Sequence, residues 1–155
     1  MTNASLQKKT AARTVATQCL YQQAITGEKQ NIGQHIAALK HQLAGNTAEQ
    51  KLQVGMAVEP HYPLIEALVR GVIEREQDIN TLLDSALSDN WKRERMSPLL
   101  VALLQCGIFE MAYYKDVKPR IVVNEYTKLA RSFFDEKEVN FVHALLATLG
   151  KNYDE

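Results

Sequence analysis

Two glutamates stand in surroundings that do not suit a carboxylate. Glu110 lies in LLQCGIFEMAY, with apolar neighbours on almost every side, and Glu125 lies in VVNEYTKLARSF. At about 100° per residue, Val122, Tyr126, Leu129 and Phe133 share one stripe of that second stretch, while Asn124, Lys128 and Arg131 point roughly the other way. Glu125 falls at the edge of the stripe. A buried carboxyl group can serve as a general acid or base with a raised pKa, or it can be a strut tied to a base, because an unpartnered charge away from water is costly. No second catalytic group accompanies either residue, so both read as structural carboxylates. Arg95, Arg120 and Lys128 are the candidate partners for Glu110, and Glu125 is expected to tie its helix to a neighbour.

Other reactive arrangements are missing from the sequence. Its seven glycines are scattered, without a phosphate loop or a dinucleotide fingerprint, so nucleotide-dependent catalysis has no anchor. His35, His41, His61 and His143 share no i, i+4 spacing and no cysteine pair stands beside them, which argues against a zinc site. His143, near the inward stripe of the last helix, reads as a packing residue. No serine or cysteine sits in a recognisable nucleophile motif. We therefore expect no catalytic residue, no metal and no cofactor.

Binding chemistry is easier to place. The formal net charge is zero, so no global field recruits nucleic acid and any such contact must use a local cluster. The first 27 residues hold Lys8, Lys9 and Arg13 and no acid, and the span 115–131 holds five bases against Asp116 and Glu125. Two aromatics look out of place on their helices. Tyr21 projects roughly opposite the apolar stripe of the first helix, among Thr10, Thr14, Thr17 and Gln18, and Phe141 lies toward the margin of the last one. Rings beside cations suit single-stranded nucleic acid, since bases stack while the cations hold phosphates. From these residues alone, packing against a neighbouring helix or protein is the favoured explanation of the same rings.

The elements that would position these groups are helices, because 3.6-residue periodicity dominates and strand alternation is nearly absent. A chain of 155 residues with 46% hydrophobic and 23% charged content suits one domain with a core of its own. The first helix is predicted over about 7–26, ending at Gly27, with Ala12, Val15, Ala16, Cys19 and Leu20 inward. Ile32, Ile36, Leu39 and Leu43 predict a second, ending near Gly45, followed by a polar connection over 46–60. A third region opens at Tyr62-Pro63, keeps Leu64, Leu68, Val72, Ile79 and Leu82 inward and reaches about Leu87, with a kink near Gly71. Ser97 and Pro98 mark the start of a helix apolar nearly all round, expected to be central and to run to about Tyr113. Pro119 opens the next. Asp135 with Glu138 reads as a capping box for the last, which turns Val139, Val142, Leu146 and Leu149 inward until Gly150. Cys19 and Cys106 fall in apolar helical patterns and read as buried thiols of a reduced compartment. The N-terminal segment lacks the apolar core of a secretory signal and no run of eighteen apolar residues occurs, so the expected location is cytoplasmic, with no membrane partner.

The order of landmarks, ATQCLYQQ, LVRGV, a tryptophan before the capped helix, LLQCGIFEM, VVNEYTKLARSF and NFVHALL, resembles the transcription antitermination factor NusB family over essentially the whole chain. The resemblance implies an all-α fold of two packed helical subbundles, read as a single RNA- and protein-binding domain over 1–155, and a non-enzymatic role. Its implied partners are boxA-type single-stranded RNA, the ribosomal protein that doubles as NusE, and the RNA polymerase antitermination complex that transcribes ribosomal RNA operons; a homodimer is left open. It places RNA contact on Lys8, Lys9, Arg13, Tyr21 and Phe141, and it gives Glu110 and Glu125 to the structure. The chain departs from the family pattern at Thr10, Ala11 and Ala12, where members often carry arginines. It also departs at His143-Ala144 in place of Asn-Gly, at Phe134 in place of Gly, and at Gln105 in place of Arg. Each lost phosphate contact weakens salt-dependent binding. The alternative is therefore a NusB-like interaction module whose RNA binding is weak or lost.

Overall fold

The structure is a computed structural model that describes residues 3–27, 33–34, 36–38, 41 and 59–153. Six helices are introduced in chain order: α1 (Asn3–Thr26), α2 (Tyr62–Glu74), α3 (Glu76–Ala86), α4 (Pro98–Phe109), α5 (Pro119–Arg131) and α6 (Glu136–Gly150). Helical backbone is also present at 33–34, 36–38 and 41, where Ile36 is buried. The ends predicted for that helix and most of the connection over 46–60 lie outside the described residues. All regular structure among the described residues is helical, as the periodicity requires. The chain forms two compact units, Met1–Arg70 and Gly71–Glu155, whose boundary falls within α2.

In the first unit α1 stops where a glycine permits it to. Gly27 takes a φ of +72° and its N–H donates to the Gln23 carbonyl at 2.9 Å, the left-handed ending that a Cβ would penalise. Ala12, Val15, Ala16, Cys19 and Leu20 are buried as predicted, but so are Arg13 and Thr17. Turning about 100° per residue, these positions cover more than half of the helix circumference. Thr17 thus belongs to the buried arc and not to the outer face assigned from the apolar stripe. The start of α2 is tied to α1 by the His61 N–H, which donates to the Lys8 carbonyl at 3.0 Å. The His61 Nδ1 accepts from the Leu64 N–H at 3.2 Å and caps α2.

The second unit is built round α4. Leu100, Leu103, Leu104, Cys106, Ile108 and Phe109 are all buried, the outcome expected of a helix apolar on every side. Ser97 and Pro98 hold the predicted N-cap and first-turn positions, without a hydrogen bond from the serine side chain. Beyond Phe109 the backbone widens into a π turn, Glu110–Tyr114, which ends when Lys115 adopts φ 56° and ψ 29° and donates its N–H to the Glu110 carbonyl at 2.9 Å. Helices α5 and α6 pack on one another and on α4. Gly107 permits the approach, since a Cβ there would stand 3.2 Å from Leu146 Cδ1 and 3.4 Å from Tyr126 Cδ2.

Several expectations are corrected here. The long third region breaks at Arg75, which separates α2 from α3 with φ −114° and ψ 22°, and not at Gly71. A side chain at Gly71 would collide with the Phe109 ring, so this glycine serves close packing inside a continuous helix. Leu82 is half-buried and Leu83 buried, since at about 100° per residue Leu83 lies nearer than Leu82 to the centre of the arc set by Leu68, Val72 and Ile79. Phe133 lies beyond the end of α5 and is half-buried, and His143 is exposed, one position round from the buried Val142. Asp135 occupies the N-cap of α6, but no side-chain cap hydrogen bond forms there, and the Glu138 Oε2 is buried without a hydrogen-bond partner. The capping box therefore exists in position and not in bonding.

Candidate nucleic-acid interface

On α1 the residues Lys9, Arg13, Thr17 and Tyr21 recur every four positions and so form one ridge along the helix. Only its ends reach solvent. Lys9 and Tyr21 are half-buried, Arg13 is 5% exposed and Thr17 is fully buried. A guanidinium stays charged in proteins and needs acceptors for its donors, so a buried Arg13 is committed to the protein interior. Lys8, beside the ridge, is exposed. The hydroxyls of Thr10 and Thr14 turn back onto the carbonyls of Leu6 and Thr10, at 3.0 and 3.2 Å, which leaves the exposed surface around Lys8 to the lysine.

The second unit presents its own aromatic group. Phe141 is half-buried and its ring stacks on Trp91, with centroids 4.5 Å apart and planes 22° from parallel. One face of Phe141 is thereby covered, and the half-buried Trp91 joins it as a second flat apolar surface. Lys92 and Arg95, which flank Trp91 in sequence, are exposed. Arg93 is instead held by Asp84 at 3.0 and 3.3 Å, and that hydrogen-bonded carboxylate raises its pKa still further. Trp91 is the residue that sequence reasoning passed over as a landmark. The available signal was its place in NWKRER, an aromatic among cations.

At the end of α5, Arg131 and Ser132 are exposed and Phe133 meets Phe134 edge to face, with centroids 6.3 Å apart. Rings and cations thus recur in the second unit. Among the described residues no cluster of three or more His, Cys, Asp or Glu is placed to hold a metal ion. No described helix is long and apolar enough to cross a membrane.

The two glutamates take different places. Glu110 is 1% exposed, and the hydroxyl of the fully buried Tyr126 donates to its Oε2 at 2.5 Å. A phenol is thus one of its partners, because Tyr126 carries its hydroxyl inward from the apolar stripe of α5. Glu125 is half-buried and pairs with Lys128 on its own helix, at 3.4 Å. The predicted tie to another helix is in this pair a tie within α5. Cys19 and Cys106 are buried free thiols, and burial pushes the Cys19 thiol up to about 11.

A profile of the NusB family matches residues 10–151. The chain is 36% identical over 134 residues to the transcription antitermination protein NusB of Maricaulis maris, covering 86% of this chain and 80% of that protein. It is 31% identical over 153 residues to the protein of the same name from Bradyrhizobium diazoefficiens, covering 99% and 89%. Among solved structures it resembles a crystal structure of antitermination factors NusB and NusE in complex with double-stranded RNA, with a TM-score of 0.69, 22% identity and coverage of 93% and 96%. It also resembles T. maritima NusB, with a TM-score of 0.69, 18% identity and coverage of 94% and 92%. These last two likenesses concern the fold.

Proposed function

From a chain that belongs to the NusB family, we propose a transcription antitermination factor, and not an enzyme, that binds boxA-type single-stranded RNA together with NusE and promotes transcription of ribosomal RNA operons. The observation that carries the reading is the match over residues 10–151 to relatives that are themselves transcription antitermination proteins. Lys8 and Lys9 would meet phosphates, with Tyr21 and the Phe141–Trp91 stack offering rings to unpaired bases. Arg13, being buried, would act by fixing α1 and contribute little direct phosphate contact. RNA polymerase would be met through the assembled complex.

A titration of labelled boxA RNA against a scrambled RNA, with and without NusE, tests the reading. Preference for boxA that strengthens with NusE is the expected result; equal binding of both RNAs in both conditions would reject it. A second reading, a protein-interaction module with weak or lost RNA binding, is favoured by one observation: Arg13 is withdrawn from solvent in a segment already poor in bases. NusE binding without any boxA preference would select it.

A further inference from the structure

We propose that the cleft between the π turn and the start of α5 is a second contact surface for the single-stranded RNA backbone, separate from the α1 segment. This rests on the RNA-binding reading above. The cleft has a volume of about 540 Å³ and is lined by Met111, the span 115–120 and Tyr153. Its lining carries three cations, Lys115, Lys118 and Arg120, against one carboxylate, Asp116. All three cations are exposed, and among the described residues neither Lys118 nor Arg120 is engaged in a salt bridge. In a protein of zero net charge such an excess is local, and a polyanion is the partner that it suits.

Two further observations point to a ligand that is both charged and flat. The ammonium of Lys115 stands 6.0 Å from the centre of the half-buried Tyr153 ring, so the cleft pairs a cation with an aromatic surface. Lys115 is also the only non-glycine residue with a positive φ among the described residues, a conformation that any residue but glycine adopts at a cost. That backbone turn brings its side chain into the cleft lining with Lys118 and Arg120. Phosphates would be held by the three side chains and a base would lie on Tyr153. A strand reaching the C-terminal end of α5 from here would pass along about 20 Å of helix.

The test is the salt dependence of binding of a short labelled single-stranded RNA to the full chain, measured by anisotropy over a KCl series. Two double variants are compared, Lys118→Gln with Arg120→Gln, and Lys8→Gln with Lys9→Gln. Losing two phosphate contacts should flatten the slope of log K against log salt by about 1.4 in the cleft variant. Tyr153→Leu should weaken binding between about fivefold and a hundredfold with the slope retained. An unchanged slope and affinity in the cleft variant, with a flattened slope in the α1 variant, overturns this inference and leaves the proposed function standing. A flattened slope in the cleft variant alone upholds the inference and removes the α1 phosphate contacts. No binding by the unaltered chain, with or without NusE, overturns both. All five substituted side chains are exposed or half-buried, and circular dichroism checks that each variant is folded.

Discussion

Removing the hydroxyl of Tyr126 isolates one interaction in the core of the second unit. Tyr126→Phe keeps the ring, which is 0% exposed, and deletes the donor to Glu110, which is 1% exposed. A buried acceptor that loses one of its hydrogen bonds costs about 1–3 kcal/mol. At roughly 2–4 °C per kcal/mol for a chain of this size, the melting temperature should fall by about 2–12 °C. Glu110→Leu removes this acceptor from the phenol together with every other bond the carboxylate makes, so it should cost at least as much. The double variant removes both ends of this hydrogen bond and should cost less than the sum, with a coupling of about 1 kcal/mol. The assay is urea and thermal unfolding of all four proteins, followed by circular dichroism. RNA affinity of the folded fraction should not move. Additivity within about 0.5 kcal/mol would refute the reasoning, as would normal stability with lost RNA binding.

Gly71→Ala should destabilise by about 1–3 kcal/mol through overpacking against Phe109, even though alanine favours a helix by about 1 kcal/mol; a higher melting temperature would show that the ring moves freely aside. Cys19 has its thiol raised from 9.0 to about 11 by burial, so the unfolded chain loses this proton first as pH rises. Its contribution is fully present below pH 9 and declines through the interval up to the folded value, by roughly 2–3 kcal/mol in all. Cys19→Ala should show a shallower alkaline loss in denaturant titrations at stepped pH, and an equal slope in both proteins would contradict the assignment. Tyr21→Asp should weaken RNA binding more than Tyr21→Ala, which should itself cost about 1–3 kcal/mol of binding if the ring stacks. Normal RNA affinity combined with a lowered melting temperature would make Tyr21 a packing residue.

What the sequence made legible is what local chemistry decides. Gly27 ends α1 and Pro98 and Pro119 open α4 and α5, because each boundary depends on the φ preference or missing donor of the residue itself. The apolar stripes of α1, α4 and α6 were readable for the same reason, as periodicity records which face must leave water. Features set by distant residues were not. Gly71 looked like a hinge because its role depends on where Phe109 arrives. The Tyr126 hydroxyl was not foreseen as a donor to Glu110, because the ring counted as apolar. Arg13 and Thr17 looked exposed because an apolar stripe says nothing about how wide an arc is covered. Of the candidate interface, Lys8 is exposed and Lys9, Tyr21 and Phe141 are half-buried, whereas the stacking of Trp91 on Phe141 is a tertiary fact with no local signature.

The break at Arg75 and the π turn are two departures from regular helix, and they meet. The Arg75 guanidinium lies over the Tyr113 ring, 4.4 Å from its centre, and Tyr113 stands inside the turn that carries one residue more than an α turn would hold. Deleting a residue between Glu110 and Tyr114 would restore ordinary helix and swing everything after it by about 100°, taking Tyr113 away from Arg75. Chain length in this turn is therefore a setting and not slack: insertions and deletions that a surface loop absorbs would here have to be matched by a change at the other irregularity. A double-mutant cycle on Arg75→Gln and Tyr113→Leu measures that dependence, with a coupling of about 0.5–1 kcal/mol expected and strict additivity showing the two breaks to be independent.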